Sequence, residues 1–396
     1  MAVSELTMRT QLICFLSGAL LIPPVQAADL IVSANDGKYV RVEGVSTYPQ
    51  PAPSDSLAVI DASQFPPVLK AVVEGVEHTI AGPPQAVAIT PDGKLAIIGA
   101  PSKYEYAAQK ESFGTFLQVV DLEASPPKLI DRVEIGAHPN GLSINLDGTL
   151  LLAAAVDGTL KVLSISGKDV KPLDSIKVSE KRLSGVSFTH DGKSALVARR
   201  DEGGVAVLNV DGSKVTLTKE RVSSGIAPYA IDVSSDGKWA VVGSVGLAGL
   251  PGQLAPGDAD LITLVDVSKR PFRAAQHLSV PSVPEGVAIS PDGKWIVAQS
   301  LNGSNLTPKD PSAGRQKLGR VTLFAIKDGV ATWVNDAPSG EAAQGIVFAK
   351  DSKTILVQFD VERALAVYQI RNDTLVDTGK RLRLDAGPVS IRTMPR

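Results

Sequence analysis

The sequence predicts an all-β, seven-bladed β-propeller closed by pairing its C-terminal strand with its N-terminal blade. Three observations predict it. A hairpin turn built on Asp-Gly or a close variant recurs six times, the turns are spaced like propeller blades, and the two ends of the chain carry complementary fragments of one blade. The turns are Pro91-Asp92-Gly93-Lys94, Leu146-Asp147-Gly148-Thr149, His190-Asp191-Gly192-Lys193, Ser235-Asp236-Gly237-Lys238, Pro291-Asp292-Gly293-Lys294 and Lys350-Asp351-Ser352-Lys353. An Asp-Gly pair between apolar runs is a strong hairpin signal, because Gly takes the positive φ that the turn needs. Successive Asp residues lie 55, 44, 45, 56 and 59 residues apart. A minimum near 44, with insertions of about 10–15 residues, fits a four-stranded blade.

The strand before each turn begins at Gln85, Asn140, Ser184, Tyr229, Glu285 or Gln344. Each continues with Gly or Ala and then apolar residues at the third and fifth places, as in Gln85-Ala86-Val87-Ala88-Ile89 and Glu285-Gly286-Val287-Ala288-Ile289. Small residues at the second place suit an inner strand, where blades crowd the axis and backbones approach closely. Second strands follow the turns, third strands run as Leu117 to Asp121 or Val205 to Asn209, and the fourth strands are more polar, as outer edges should be.

That makes six complete units. Residues Leu30-Ser33, Leu57-Asp61 and Val68-Val73 read as strands two, three and four of a blade without strand one. Gly387 to Met394 mirrors the stretch from Gly82 to Ile89 and reads as a strand one with nothing after it. Placed together they make the seventh blade and leave no open ring.

Residues 1–27 read as a secretory signal peptide, and residues 28–396 as a single propeller domain. Arg9 supplies the positive start, Leu12 to Ile22 the apolar stretch, and Val25-Gln26-Ala27 a small-x-small cleavage site. The apolar stretch is shorter than the roughly 20 residues a membrane span needs. A periplasmic or secreted protein without a membrane span after cleavage is expected. Cys14 is the only cysteine and lies in this segment. The mature chain would therefore carry no thiol chemistry.

The formal net charge is −2, and no basic run is longer than Arg199-Arg200. This argues against nucleic acid as a partner, which calls for clustered Lys and Arg. The four histidines show no paired metal-ligand spacing, Asp258-Ala259-Asp260 lacks a calcium-loop pattern, and no Cys-x-x-Cys-His or Gly-x-Ser-x-Gly occurs. No metal and no cofactor is expected.

In a four-stranded blade the tight turns share one face of the disc, here the turn face. The opposite loop face receives the long connections 33–56, 99–116, 243–261 and 299–320, in blades one, two, five and six. Loops above about 12–15 residues in a compact fold tend to carry function or lack order. The inner strands start on this face, so Gln85, Asn140, Ser184, Tyr229, Glu285 and Gln344 should ring the channel mouth. His138, Arg182, Arg199 and Arg200 stand nearby. This set offers a polar binding site, or equally a lining for channel water. With no assembled catalytic group, the residues favour an exported, monomeric, non-catalytic propeller that binds a protein partner or small polar ligand on its loop face.

The repeated Gly/Ala-Val-x-Ile-x-Pro-Asp-Gly-Lys at 86–94 and 286–294, with third strands such as Leu117 to Asp121 and Leu264 to Val267, resembles the YVTN-type and lactonase-like seven-bladed propellers of bacteria. The resemblance covers nearly the whole mature chain. It implies an alternative function, hydrolysis of a sugar or organic-acid lactone, with His138, Glu285 and either Arg182 or Arg199 as the working groups. The Arg would stabilise the oxyanion while His or Glu activates water.

Overall fold

A computed structural model describes Met1 and residues 29–250, 259–308 and 314–396. The expected signal peptide, with Cys14 and its cleavage site, lies outside the described residues. So do Asp258 and the middle of the loops after residues 250 and 308.

Seven four-stranded antiparallel sheets radiate from one axis. The first blade places the C-terminal strand Gly387–Thr393 innermost, followed outward by Leu30–Asp36, Ser56–Asp61 and Val68–Glu74. Ile31 pairs with Thr393 and Asp36 with Gly387, with a bulge between Ala34 and Asn35. The ring is therefore closed by hydrogen bonds between the two ends of the chain. Blades two to seven follow in chain order, with inner strands Val87–Ile89, Pro139–Ile144, Val186–Phe188, Pro228–Val233, Pro284–Ile289 and Ile346–Phe348.

The core is divided among the gaps between blades. Along a second strand, alternate residues serve opposite neighbours: Leu95 and Ile97 pack toward blade three, Ala96 and Ile98 toward blade one. Both faces of these strands are covered, which is why they read as continuous apolar runs. Near the axis, space dictates sequence. A Cβ on Gly141 would lie 2.3 Å from the Ser184 carbonyl oxygen, and one on Gly185 2.4 Å from that of Tyr229. Through this close approach the Gly185 amide donates to the Tyr229 carbonyl at 2.7 Å.

The turns are four-residue connections rather than two-residue ones. Gly93, for example, takes φ 70° and its amide returns to the Thr90 carbonyl at 2.9 Å. In the sixth turn Ser352 takes φ 59° where the other turns use Gly. The expected long loops are partly ordered. Segment 33–56 contains a hairpin of Val40–Val42 and Val45–Thr47, and segment 99–116 one of Ser102–Glu105 and Lys110–Phe113. After residue 243 the chain forms a short 3-10 turn at Leu247–Gly249.

Candidate functional site

The first hairpin arches from blade one across blade seven to blade six. The Glu43 amide donates to the Glu341 carboxylate. Gly44, at φ 76°, sits so close to Leu306 that a Cβ would stand 2.4 Å from its carbonyl carbon. Tyrosines join the two hairpins. Tyr48 and Tyr104 stack with centroids 3.6 Å apart, and the Tyr106 hydroxyl donates to the Pro49 carbonyl at 2.6 Å. Four of the six tyrosines, Tyr39, Tyr48, Tyr104 and Tyr106, meet in this cluster.

Buried charge fastens the hairpin's base. Lys38 Nζ lies 3.0 Å from Asp36 and 2.8 Å from Asp55, and also donates to the His78 carbonyl. Burial pushes the Asp36 carboxyl up to about 6 against the pull of Lys38. The His78 ring, between the Gly99 carbonyl and Ser390 Oγ, is pushed down to about 3 by burial and stays neutral.

The inner-strand residues divide into struts and open groups. Gln85 is a strut. Its amide nitrogen donates to the Ile231 carbonyl and its oxygen accepts from the Ile231 amide, both at 2.9 Å, linking blade two to blade five across the axis. Tyr229 returns the link by donating its hydroxyl to the Gly82 carbonyl at 2.6 Å. Ser184 donates to Pro228 at 2.8 Å, and Gln344 to the Ala342 carbonyl at 2.8 Å. Asn140 donates to Leu183 at 2.9 Å, but its oxygen is buried without a partner.

Arg182 grips Asp201 with two bonds of 2.8 and 2.9 Å, and Arg199 pairs with Glu202. His138 Nδ1 meets the Gly114 carbonyl at 2.9 Å, its ring stands edge-on to Phe113, and Nε2 has no partner. Burial lowers its pKa. Its electrostatic neighbour is Glu111, whereas those of Glu285 are Arg200 and Arg41. His138 and Glu285 start or precede the inner strands of blades three and six, and each has its own immediate surroundings.

Glu285 stands out chemically. Burial pushes its carboxyl up to about 7, against the opposing charges of Arg200 and Arg41, and Oε2 has no partner among the described residues. The Arg200 guanidinium lies over the Tyr229 ring at 4.1 Å. Arg41, on the arching hairpin, acts on both Glu285 and Asp360. Asp360 ends the second strand of blade seven with both carboxylate oxygens buried and unpartnered, and burial together with the charge of Asp36 raises its pKa well above the usual range.

Asp36, Arg41 and Asp360 were not legible as site residues one by one. A signal existed in the register: Val245 and Leu301 hold in blades five and six the position that Asp360 holds in blade seven. An acid just after the second strand Thr354–Phe359 departs from the apolar residue that blades five and six carry there.

All buried side-chain atoms without a partner among the described residues belong to the loop-face half of the disc. They lie at inner-strand starts (His138, Asn140, Glu285), at second-strand ends (Arg199, Ser244, Gln299, Ser300, Asp360, Glu362), and at Thr322, Ser339 and Asn305. Native proteins seldom leave such groups empty-handed, so water or a ligand completes them. Below the Gln85 strut the channel opens toward the turn face in a cavity of about 110 Å³, partly filled by residues 392–396. There Arg392 donates to the Val186 carbonyl at 3.1 Å and lies 3.6 Å from Asp232. No group of three or more His, Cys, Asp or Glu able to hold a metal occurs among the described residues.

The architecture is that of the lactonase-like, YVTN-type seven-bladed propellers. In particular the chain superposes on a Bacteroides uniformis protein described as a "putative 6-phosphogluconolactonase", with TM-score 0.66, 16% identity, and 93% of this chain and 100% of that one covered. It also matches the periplasmic gluconolactonase of Pseudomonas aeruginosa (TM-score 0.61, 15% identity, coverage 92% and 99%). A third match is the hydrazine synthase of Kuenenia stuttgartiensis (TM-score 0.59, 19% identity, coverage 80% and 90%). At these identities the likeness is one of fold, and the names alone show that this fold hosts unrelated chemistries. No protein-family model and no curated protein matches the chain.

Proposed function

We propose that the protein is a lactone hydrolase, exported from the cytoplasm after removal of residues 1–27, with its active site at the loop-face channel mouth. The observation that carries this reading is Glu285: a buried carboxyl poised at about 7, with one oxygen unpartnered and with Arg200 and Arg41 as its charged neighbours. A group titrating near neutral pH suits general base work. Glu285 takes a proton from water as the water oxygen attacks the lactone carbonyl carbon. The negative charge that forms on the carbonyl oxygen is met by the guanidinium groups. Collapse breaks the ring carbon–oxygen bond, and the departing ring oxygen takes the proton back from Glu285, giving the hydroxy acid. His138 is placed outside this step, because its neighbours are Phe113, Gly114 and Glu111 rather than Glu285.

The likeness to proteins named as lactonases supports this reading over a purely non-catalytic binder. The test is hydrolysis of a panel of aldonolactones by the purified chain and by Glu285→Gln. The substitution keeps the shape and removes the base, so a loss of about 100-fold or more is expected from general base catalysis. Ligand binding without turnover by the wild type would return the protein to the role of a receptor or scaffold. N-terminal sequencing of protein recovered from the cell envelope would check the cleavage after Ala27.

A further inference from the structure

We propose that Tyr39 is a positioning residue. Its hydroxyl fixes the Arg41 guanidinium at the loop-face mouth, so that Arg41, rather than Arg182 or Arg199, meets the charge that forms on the lactone carbonyl oxygen. The inference deepens the lactone-hydrolase reading and rests on it for the reaction. Arg41 stands in the first strand of the arching hairpin, opposite Ser46. The hairpin is tied down on either side of it. Before it in the chain, Lys38 Nζ lies 3.0 Å from Asp36 and 2.8 Å from Asp55. After it, the Glu43 amide donates to the Glu341 carboxylate. The first of these ties stands beside Asp360: Asp36 pairs with Gly387, and a Cβ on Gly387 would lie 2.1 Å from Asp360 Oδ1. From this segment the charge of Arg41 reaches both Asp360 and Glu285.

The side chain is held as firmly as the backbone. Arg41 Nε donates to the Tyr39 hydroxyl at 2.9 Å, and the same hydroxyl lies 2.9 Å from Ser46 Oγ. The Tyr39 ring is buried and stands edge-on to Tyr48, with centroids 5.5 Å apart, while Tyr48 stacks on Tyr104 of the second hairpin. A grip on Nε leaves both Nη groups without a hydrogen bond among the described residues. Arg182 and Arg199 differ, because their guanidiniums are already bonded to Asp201 and Glu202. A long, rotamer-rich side chain loses freedom when it orders around a transition state. Ordering it in advance moves that loss from the reaction to folding.

The experiment compares kcat and KM on an aldonolactone for the full chain, Tyr39→Phe, Arg41→Ala and the double variant. Tyr39→Phe keeps the ring and its packing, and should lower kcat about 10-fold with KM little changed. Arg41→Ala should lower kcat about 100-fold. Adding Tyr39→Phe to it should cause no further loss, because the hydroxyl acts only through the arginine. Tyr106→Phe cuts a comparable hydroxyl bond in the same cluster, to the Pro49 carbonyl, and should leave kcat unchanged. A normal kcat in Tyr39→Phe, additive losses in the double variant, or an equal loss in Tyr106→Phe overturns the inference and leaves the hydrolase standing. A wild type that turns over no lactone sinks the hydrolase instead, and the Glu285 titration then decides, followed by carboxyl-carbon NMR and assigned with Glu285→Gln. Arg41 holds this carboxyl down against burial, so Arg41→Ala should raise its pKa, Tyr39→Phe should raise it less, and the double variant should match Arg41→Ala. A titration unmoved by either substitution overturns the inference.

Discussion

The two faces of the disc treat polar groups in opposite ways. On the turn face they are satisfied locally. The Ser290 hydroxyl donates to Asp292 at 2.6 Å while the Lys294 amide donates to the same oxygen at 3.2 Å, and Thr90, Thr189 and Ser234 repeat the pattern with Asp92, Asp191 and Asp236. Deeper in, Ser143 accepts from the Phe188 amide and Asp232 from that of Ile289, stitching neighbouring blades. On the loop face, Glu285 Oε2 and both Asp360 carboxylate oxygens are buried without a partner among the described residues. An unsatisfied buried polar group costs about 1–3 kcal/mol. The buried groups that water or a ligand must complete therefore lie on the face that carries the long connections.

Four measurements can break or sharpen this contrast. The largest effect belongs to neither face but to the seam that holds both. Removing residues 387–396 strips the innermost strand from blade one, together with Arg392 and the Ile391–Pro84 link, and should abolish the cooperative thermal transition. A truncated chain that melts normally would contradict the closure.

Next comes the pH dependence of the loop face. If Glu285 works as a base, hydrolysis should rise about tenfold per pH unit below 7 and level off above it, a span of about 100-fold between pH 5 and 8. A flat profile would remove Glu285 from the chemistry. Stability should run the other way. A carboxyl raised from its usual 4.5 to about 7 disfavours the folded state once ionised. Wild type should therefore lose stability relative to Glu285→Gln as pH climbs through this window, by about 1–3 kcal/mol when complete.

Smaller still is the boundary between the faces. Gln85→Leu leaves the Ile231 amide and carbonyl without their cross-channel partner, a loss of about 2 kcal/mol, readable as a shift in urea midpoint. The least effect is expected on the turn face, where Asp292→Ala removes two local bonds near solvent at about 1 kcal/mol and should leave hydrolysis unchanged. A drop in activity from Asp292→Ala would show that the two faces are not independent.

What the sequence made legible was what repeats. Asp-Gly turns, small second residues and apolar strands occur in blade after blade, so their physical causes can be read from the comparison of units. Closure was legible because Gly387 to Met394 copies the start of a blade and lacks the rest. For the candidate site the sequence singled out a face and individual residues, Glu285 and Tyr229 among them, but not which side chains meet. The partners of Gln85 and Tyr229 are Ile231 and Gly82, roughly 150 residues away along the chain and on the far side of the axis, where no local pattern points. Arg41 and Asp360 belong to unique segments that no repeat predicts. The ordered hairpins escaped notice for the same reason: their stability comes from the stacking of Tyr48 on Tyr104, a contact between two insertions.

The seam also sets a schedule. Asp36 waits for Gly387, its partner about 350 residues later, and at a synthesis rate of about 5–20 residues per second this interval is tens of seconds. During that time blade one has an exposed backbone edge, Leu30 to Asp36, with its hydrogen-bonding groups open to any passing strand. The protein is therefore most vulnerable to mispairing and aggregation while it is being made, and a short peptide copying residues 387–393 should compete for that edge before the chain can close upon itself.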